Sequence, residues 1–319
     1  MLKKSKLFLL MTFVISAILI AYIYKKFEEE KPEVVFVLRT LDVQYWEIIE
    51  AGAKKGFKDF RIDGKVIAPR NGTVEEQNEM LEAVLKDNPD VLVVSTEDQP
   101  KIIPTLEKFV KKGIPVLLID TDDPYTDNPW ENKTVYIGTD NLELGKKAGI
   151  LMASQLQPGD KVALIGKETM AERERIKGAK VSLEAVNIKI VSEKVLSNYE
   201  ESKKEMKKIL KEHPDLKGVI ASTDYIALPA LKVIREQGLN MLVTGADGII
   251  EMVELVEEGT LTGTVAQNPY DMGYLGAEAA LKVSKGEKVN KNIDGGVDII
   301  IDGTAKQRLD FLKKVLKQS

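Results

Sequence analysis

Residues 85–98, LKDNPDVLVVSTED, recur with changes at 210–224 as LKEHPDLKGVIASTD. The offset between the first residues is 210 − 85 = 125. Gly113, ahead of IPVLLID, and Gly238, ahead of LNMLVTG, stand at the same offset, 238 − 113 = 125. Two separate matches at one offset point to a duplicated unit. The centre of the first copy, VLVV, is continuously apolar and β-branched, as a strand covered on both faces should be.

Similar runs lie on either side. VVFVL (34–38), KVIA (65–68), IPVLLI (114–119), KVALIG (161–166), GVIAS (218–222) and MLVTG (241–245) read as strands. Helical periodicity fills the intervals. Trp46, Ile49, Ala53, Phe57 and Phe60 recur every three or four residues, and Thr73 with Glu76 makes a capping box ahead of Met80, Leu81, Val84 and Leu85. Strand–helix alternation of this kind builds parallel sheets from βαβ units, so the body is expected to be α/β, as two similar doubly wound parallel-sheet lobes.

Composition narrows the chemistry. The chain has 319 residues, 44% hydrophobic and 30% charged, and 46 basic against 50 acidic residues leave a net charge of −4. With no basic face or tail, a nucleic-acid partner is not expected. The absence of cysteine removes disulfides, thiolate catalysis and cysteine-ligated zinc. The single histidine, His213 in KEHPDL, reads as a surface residue at a helix end. No Walker sequence occurs, and no GxGxxG follows the first strand, so phosphate cradling is not supported. Asp120, Asp122 and Asp123 in IDTDDP lack the EF-hand order of a calcium site, and Asp122 and Asp123 read as a solvated acidic loop. No metal and no cofactor is expected.

The N-terminus reads differently. MLKKSK precedes LFLLMTFVISAILIAYIY, residues 7–24, an uncharged stretch just long enough to span a bilayer as a helix. It lacks an A-x-A cleavage pattern, and no cysteine is present to carry a lipid. The expectation is an uncleaved signal-anchor over residues 1–31. It would be a single-pass transmembrane helix with the body on the extracytoplasmic side, although the lysines on its two flanks are nearly balanced.

In open parallel sheets, ligands sit beyond the carboxyl ends of the strands. Those positions hold Arg39–Trp46, Ser95–Asp98, Asp120–Asp123, Lys167–Arg175, Thr223–Asp224 and Ala246–Asp247, a set rich in guanidinium, carboxylate and aromatic groups. Such a rim suits a sugar, whose hydroxyls donate and accept and whose C–H face needs an apolar wall. General acid–base catalysis stays open on carboxylates alone, but no residue stands out as a nucleophile.

At these residues the chain resembles the periplasmic sugar-binding proteins of the ribose-binding type, and also the ligand-sensing cores of LacI-type repressors. The matching stretches are VLRTLDVQYWEIIEAGAKK, IPVLLID, IGTDNLELG, ERERIKG, HPDLKGVIASTDYIALPAL, VTGADG and TLTGTVAQNPYDMG, in order between about Glu33 and Asp302. The resemblance implies stacking of the sugar on Tyr45 and Trp46. It implies carboxylate acceptors at Asp120 and Asp247, a guanidinium at Arg173, the hinge glutamine at Gln267, and Thr223 where an Asn is common. It also marks departures. Arg39 stands where ribose binders carry a small residue, Thr121 replaces an arginine, Val43 an amide and Ala246 an aromatic. These changes argue against ribose itself as the preferred sugar. Arg39 either projects into the cleft as a new donor or pairs with Asp42 at the surface.

The resemblance further implies a three-stranded hinge near Thr139–Asp140, Gln267–Asn268 and Val297–Asp298. That hinge would divide the body into residues 32–139 plus 268–297 and residues 140–267 plus 298–319. Closure on a monosaccharide would then be presented to a membrane partner, either the permease of an ABC importer or a sensor histidine kinase. An enzyme of sugar metabolism remains an alternative on an α/β fold. A LacI-type regulator would carry a helix-turn-helix where this chain has its apolar span. The C-terminal segment, with Leu309, Leu312 and Leu316 at helical spacing, is expected to pack on a lobe.

Overall fold

The computed structural model describes residues 31–96, 99–121 and 135–317, together with Thr12, Ile15 and Ser16. Apart from those three residues, the span expected at 7–24 lies outside the described residues, as do Glu97, Asp98, Asp122 and Asp123. Among the described residues no helix is long and apolar enough to cross a membrane.

The first half of the body contains β1 (Glu33–Val37), α1 (Gln44–Phe60), β2 (Asp63–Ile67), α2 (Val74–Asp87), β3 (Val91–Val94), α3 (Gln99–Lys111), β4 (Val116–Ile119) and β5 (Val135–Gly138). The chain continues through α4 (Asn141–Ala153), β6 (Lys161–Lys167), α5 (Met170–Glu184), β7 (Lys189–Leu196), α6 (Ser202–Glu212), β8 (Gly218–Ala221), α7 (Asp224–Glu236), β9 (Leu242–Thr244), α8 (Ile250–Glu257) and β10 (Gly263–Gln267). It ends with α9 (Pro269–Ser284), β11 (Asn292–Asp294), β12 (Val297–Ile301) and α10 (Asp302–Leu316).

One sheet has the order β11-β5-β4-β3-β1-β2, and another has β7-β6-β8-β9, with every pairing parallel. The run β2-β1-β3-β4 in the first sheet therefore has the same connectivity as β7-β6-β8-β9 in the second. This is the structural content of the sequence repeat. Gly113 and Gly238 end the equivalent helices α3 and α7 with φ of 84° and 69°, a left-handed turn that glycine makes without a Cβ penalty. β10 and β12 form a separate antiparallel ribbon. The chain changes sheet between Gly138 and Asn141, between Gln267 and Pro269, and between Asp294 and Val297.

Side-chain alternation along the strands fills both faces of each sheet. In β1, Val34 and Phe36 face a core built with Trp46, Ile49 and Phe57 of α1 and Met272 and Ala277 of α9, whereas Val35 and Val37 face α2 and α3 through Leu81, Ile102 and Leu106. In β6, Val162 and Leu164 pack on Leu144, Ile176 and Leu183, and Ala163 and Ile165 on the opposite face meet the core of α6 to α8. The expected cap at Thr73 forms, its hydroxyl accepting from Glu76 N at 3.2 Å. Glu76 does not return the bond; its carboxylate takes the Asn71 amide instead.

Among the described residues, five strands fall outside the apolar runs that the sequence offered: β5, β7, β10, β11 and β12. β7 lies at a sheet edge, where Lys189, Glu193 and Val195 are exposed, so its pattern is too polar to read as a covered strand. α10 also departs from expectation. It packs on both halves, not one: Leu312 and Val315 meet Ile48 of α1, Phe311 sits edge-on to Tyr270 of α9 at 5.3 Å, and Lys313 pairs with Glu254 of α8 at 2.8 Å.

Candidate ligand-binding site

The carboxyl ends of β4, β6, β8 and β9 and the end of β10 bring together Asp120, Arg175, Thr223, Asp247 and Gln267, with Tyr45 entering from the first turn of α1. Asp120 follows β4 with φ of 62°, a left-handed conformation that a short polar side chain tolerates better than most. Its carboxylate accepts from the Tyr45 hydroxyl at 2.5 Å. Tyr45 also reaches Gln267 Oε1 at 3.2 Å, and Thr139 donates to the same oxygen at 2.8 Å. Gln267 Nε2 donates to Asp247 Oδ1 at 2.9 Å, and Arg175 Nη1 reaches that oxygen at 3.3 Å. A single polar chain, Asp120–Tyr45–Gln267–Asp247–Arg175, thus runs from the first sheet to the second through the β10 crossing.

The electrostatics follow from burial. Desolvation, then the Asp120 charge, pushes the Tyr45 hydroxyl well above its usual range, so it acts as a neutral donor. Burial raises the Asp120 carboxyl, opposed by the Tyr45 hydrogen bond and by the charges of Arg39 and Arg175. Arg175 is 8% exposed, and burial works against its charge, but Asp247 first and then Tyr45 and Asp120 outweigh that cost. Its Nε donates to Asn141 Oδ1 at 2.8 Å and its Nη1 to Ser222 O at 2.9 Å, and Nη2 makes no hydrogen bond among the described residues. A planar fork held at two corners presents its third in a fixed direction.

Helix contact fixes that fork. A Cβ on Gly145 of α4 would stand 2.0 Å from Arg175 O, and one on Gly178 of α5 would stand 2.2 Å from Leu142 O. The two helices therefore touch at backbone level, and α5 is held at the depth that lets Arg175 reach β8 and Asp247. Asp247 is steadied further by the Asp224 amide, 3.0 Å from Oδ2. Asp224 itself ties down the loop after β9, accepting from Ala246 N and Ile249 N at 2.9 Å each. Its carboxyl is pushed up to about 7, by burial first and the neighbouring Asp247 charge second.

Arg173, expected in the site, is not there. Its side chain is more than half exposed and pairs with Glu168 at 2.9 Å. Residues two apart on a helix point to nearly opposite sides, so within ERER only one arginine can face the sheet, and it is Arg175. The signal was present in the sequence: Glu172, Ile176, Ala179 and Leu183 define the buried stripe of α5, and Arg175 lies on it.

The remaining expected residues divide by role. Thr223 stands at the N-cap of α7, 7% exposed, with Oγ1 unpartnered among the described residues. An unpaired hydroxyl at that depth costs about 1–3 kcal/mol unless a ligand meets it. Gln267 spends its carbonyl oxygen, and one amide hydrogen, inside the protein. Trp46 is 7% exposed, packed in the first core and edge-on to Tyr45 at 5.4 Å, so it backs the wall. Arg39 is half-buried with its guanidinium carbon 5.9 Å from the Trp46 ring centre. Val43 is half-buried and Ala246 fully buried, and neither brings a polar side chain.

Sequence reading did not single out Tyr199 and Tyr225. Their rings lie 5.9 Å apart on the second half, both partly exposed, and Lys167 Nζ stands 4.3 Å over Tyr199. Both hydroxyls are pushed up to about 12 by burial, with Asp247 among the charges they feel. Tyr199 also feels Arg39, from the opposite half. Tyr199 follows β7, the edge strand that was not recognised, so its rim went unread. His213 caps the end of α6 and joins none of these groups. Among the described residues no group of acidic or histidine side chains is arranged to hold a metal ion.

A sequence family described as periplasmic binding protein domain matches residues 34–288. The chain belongs to that family. Among its relatives is a D-ribose/D-allose-binding protein of Pseudomonas aeruginosa, 28% identical over 285 residues, which cover 86% of this chain and 88% of that protein. A ribose import binding protein, RbsB of Bacillus subtilis, is 27% identical over 80% of this chain and 82% of its own length. In fold the chain superposes on a periplasmic ribose ABC transporter structure from Conexibacter woesei with a TM-score of 0.80, at 24% identity, covering 88% of this chain and 95% of that one. These similarities support the ribose-type resemblance read from the motifs. α10 lies beyond residue 288, outside the family match.

Proposed function

We propose that this protein is a sugar receptor that closes its two halves over one monosaccharide. The observation that carries the reading is the polar chain from Asp120 to Arg175. It sets acceptors from both sheets and a spare guanidinium nitrogen around one gap, with Thr223 Oγ1 left for a ligand hydroxyl. A pentose or hexose matches that inventory. The closest groups are already held by the protein, so little ordering cost falls on binding. The named relatives bind or import ribose and allose, which supports the class.

The lobes are residues 32–139 plus 268–297 and residues 140–267 plus 298–319, hinged where the chain changes sheet. Binding protein closure is itself a standard instance of hinge motion, and here the sugar shifts the population by its differential affinity for the closed form. Residues 7–24 tether the body to the membrane with the body outside. The closed form then docks on a membrane partner. An ABC importer is supported by the relatives, and a sensor histidine kinase suits a tethered receptor equally well.

A thermal-shift panel of pentoses, hexoses and inositols on the full chain tests the reading. A sugar at 100 times its dissociation constant adds about 2.7 kcal/mol of stability. Turnover of a sugar, in place of stabilisation by it, would replace the receptor reading with an enzymatic one.

A further inference from the structure

α10 carries two neighbouring stripes. Ala305 and Leu309 lie in the core of the second half. Arg308, Leu312 and Val315, at intervals of four and three, share the next face, and Leu312 and Val315 pack on Ile48 of α1 in the first half. Arg308 begins that second stripe, at a place where the chain passes between the halves. Its Nη1 donates to Asn268 Oδ1 at 2.8 Å and its Nη2 to Gln267 O at 2.6 Å.

Both acceptors belong to one crossing. Gln267 ends β10, and Asn268 is the N-cap of α9, whose Met272 and Ala277 lie in the first core. The first and third crossings are joined through backbone, Gly295 N donating to Gly138 O at 2.7 Å. The middle crossing, beyond its ladder with β12, is gripped by side chains. Thr139 Oγ1 holds Gln267 Oε1 at 2.8 Å, and the Arg308 fork holds the Gln267 carbonyl and the Asn268 amide oxygen.

Charge does not explain a guanidinium here. The Arg308 side chain is 12% exposed, and its one ion-pair partner among the described residues, Asp298, stands 3.9 Å away with its own side chain 56% exposed. A pair that wet and that long is worth little. The buried Nε finds no hydrogen-bond partner among the described residues, which is a cost. The side chain is thus placed for two neutral oxygens of the crossing at the expense of its own third corner. A planar fork on two acceptors fixes their relative direction. Here it fixes the Gln267 backbone against the start of α9, and with it the direction from which the Gln267 amide meets Tyr45 and Asp247.

We propose that Arg308 is a positioning residue of the ligand site, which acts through Gln267 to set the angle at which Tyr45 and Asp120 face Asp247 and Arg175. Its effect on affinity rests on the sugar-receptor reading; its effect on the hinge does not.

The test is calorimetric titration of the full chain with D-ribose and with D-allose, joined to a distance measurement between the halves. Because the chain has no cysteine, Lys86→Cys on α2 and Lys211→Cys on α6, both exposed, accept a single pair of spin labels. Arg308→Ala should weaken sugar binding by at least about ten-fold. In a Gln267→Leu chain the same change should cost less than about two-fold, since residues that act through one network are not additive. Arg308→Lys keeps the buried charge but cannot hold both oxygens, and should repeat the pattern at smaller size. Without sugar, the label distances should broaden in Arg308→Ala and stay unchanged in Leu106→Ala, a core truncation in the first half away from the crossings. Losses that multiply in the double variant, Arg308→Ala binding as tightly as the unchanged chain, or label distances that do not broaden would each overturn the proposal. If neither sugar binds the unchanged chain while the sugar-free distances broaden, the receptor reading fails for those sugars and the hinge role of Arg308 is upheld.

Discussion

Removing the Arg175 side chain should be among the most damaging single changes in the gap, and removing that of Arg173 among the mildest. In Arg175→Ala, Asp247 keeps two hydrogen-bond donors, Gln267 Nε2 and the Asp224 amide, but loses its only ion-pair partner among the described residues. Asn141 Oδ1 and Ser222 O lose their donors as well. Breaking one side of a buried pair costs about 3–5 kcal/mol, which corresponds to a melting point lower by on the order of 10 °C for a chain of this size. Sugar affinity should fall by about ten- to a hundred-fold, the worth of one charge-assisted hydrogen bond. Arg173→Ala removes only an exposed pair with Glu168 and should change stability by less than about 1 kcal/mol. Arg175→Lys serves as a folded intermediate case, since it keeps the charge but cannot hold Asn141, Ser222 and a ligand together. Thermal melts and sugar titrations on the three variants decide the matter. Equal effects of the two alanine changes, or a larger loss at Arg173, would refute the assignment of the guanidinium to Arg175.

Other consequences can be checked beside it. Gln267→Leu strips Thr139 of its acceptor, Tyr45 of its second acceptor and Asp247 of a donor, so urea unfolding should show a loss of about 2–4 kcal/mol and titration a weaker sugar complex. Leu312→Ala should cost about 2–5 kcal/mol by the same measure, because the side chain is 1% exposed and packs with Ile48 across the two halves. It should also loosen the closed form, which sugar-dependent solution scattering would register. On pH, Asp224 has a folded value of about 7 against an ordinary 3.8, so the folded state binds more protons in between. Its contribution to stability is complete below about pH 4 and disappears as pH rises through about 7, which melts recorded across that window would show as a declining component. The Asp120 carboxyl is raised by burial, so sugar affinity should start to fall, on acidification, at a higher pH than an exposed carboxylate would give.

Much of this arrangement can be read from residue order, and the exceptions have identifiable causes. Most of the apolar runs became covered strands because Val, Ile and Leu on both faces leave no other stable environment for them, whereas KVIA became the edge strand β2, none of whose residues is buried. The offset of 125 pointed to two similar α/β units, and the two sheets share the strand order that such a duplication implies. Asp120 and Asp247 follow strands of the two parallel sheets, whose carboxyl ends hold the ligand position by topology, and Tyr45 from α1 and Gln267 from the antiparallel β10 join them in one hydrogen-bonded chain. Arg173 shows where motif position alone fails. Within ERER the choice of arginine is a matter of helix phase, and the phase is set by the buried stripe through Ile176, Ala179 and Leu183, with Arg175 one turn before Ala179. Tyr199 was illegible for another reason, because the edge strand before it pairs on one side only and carries Lys189, Glu193 and Lys194 among its apolar residues. The bridging position of α10 could not be read either: its apolar stripe shows that it packs, not on what.

The most direct test of the central claim is a crystal structure of the chain with a bound sugar. The account predicts one sugar between the sheets, with hydroxyl oxygens within hydrogen-bond distance of Asp120 on one side and of Arg175 and Asp247 on the other. A sugar touched by residues of only one half, or seated anywhere outside this gap, would contradict it.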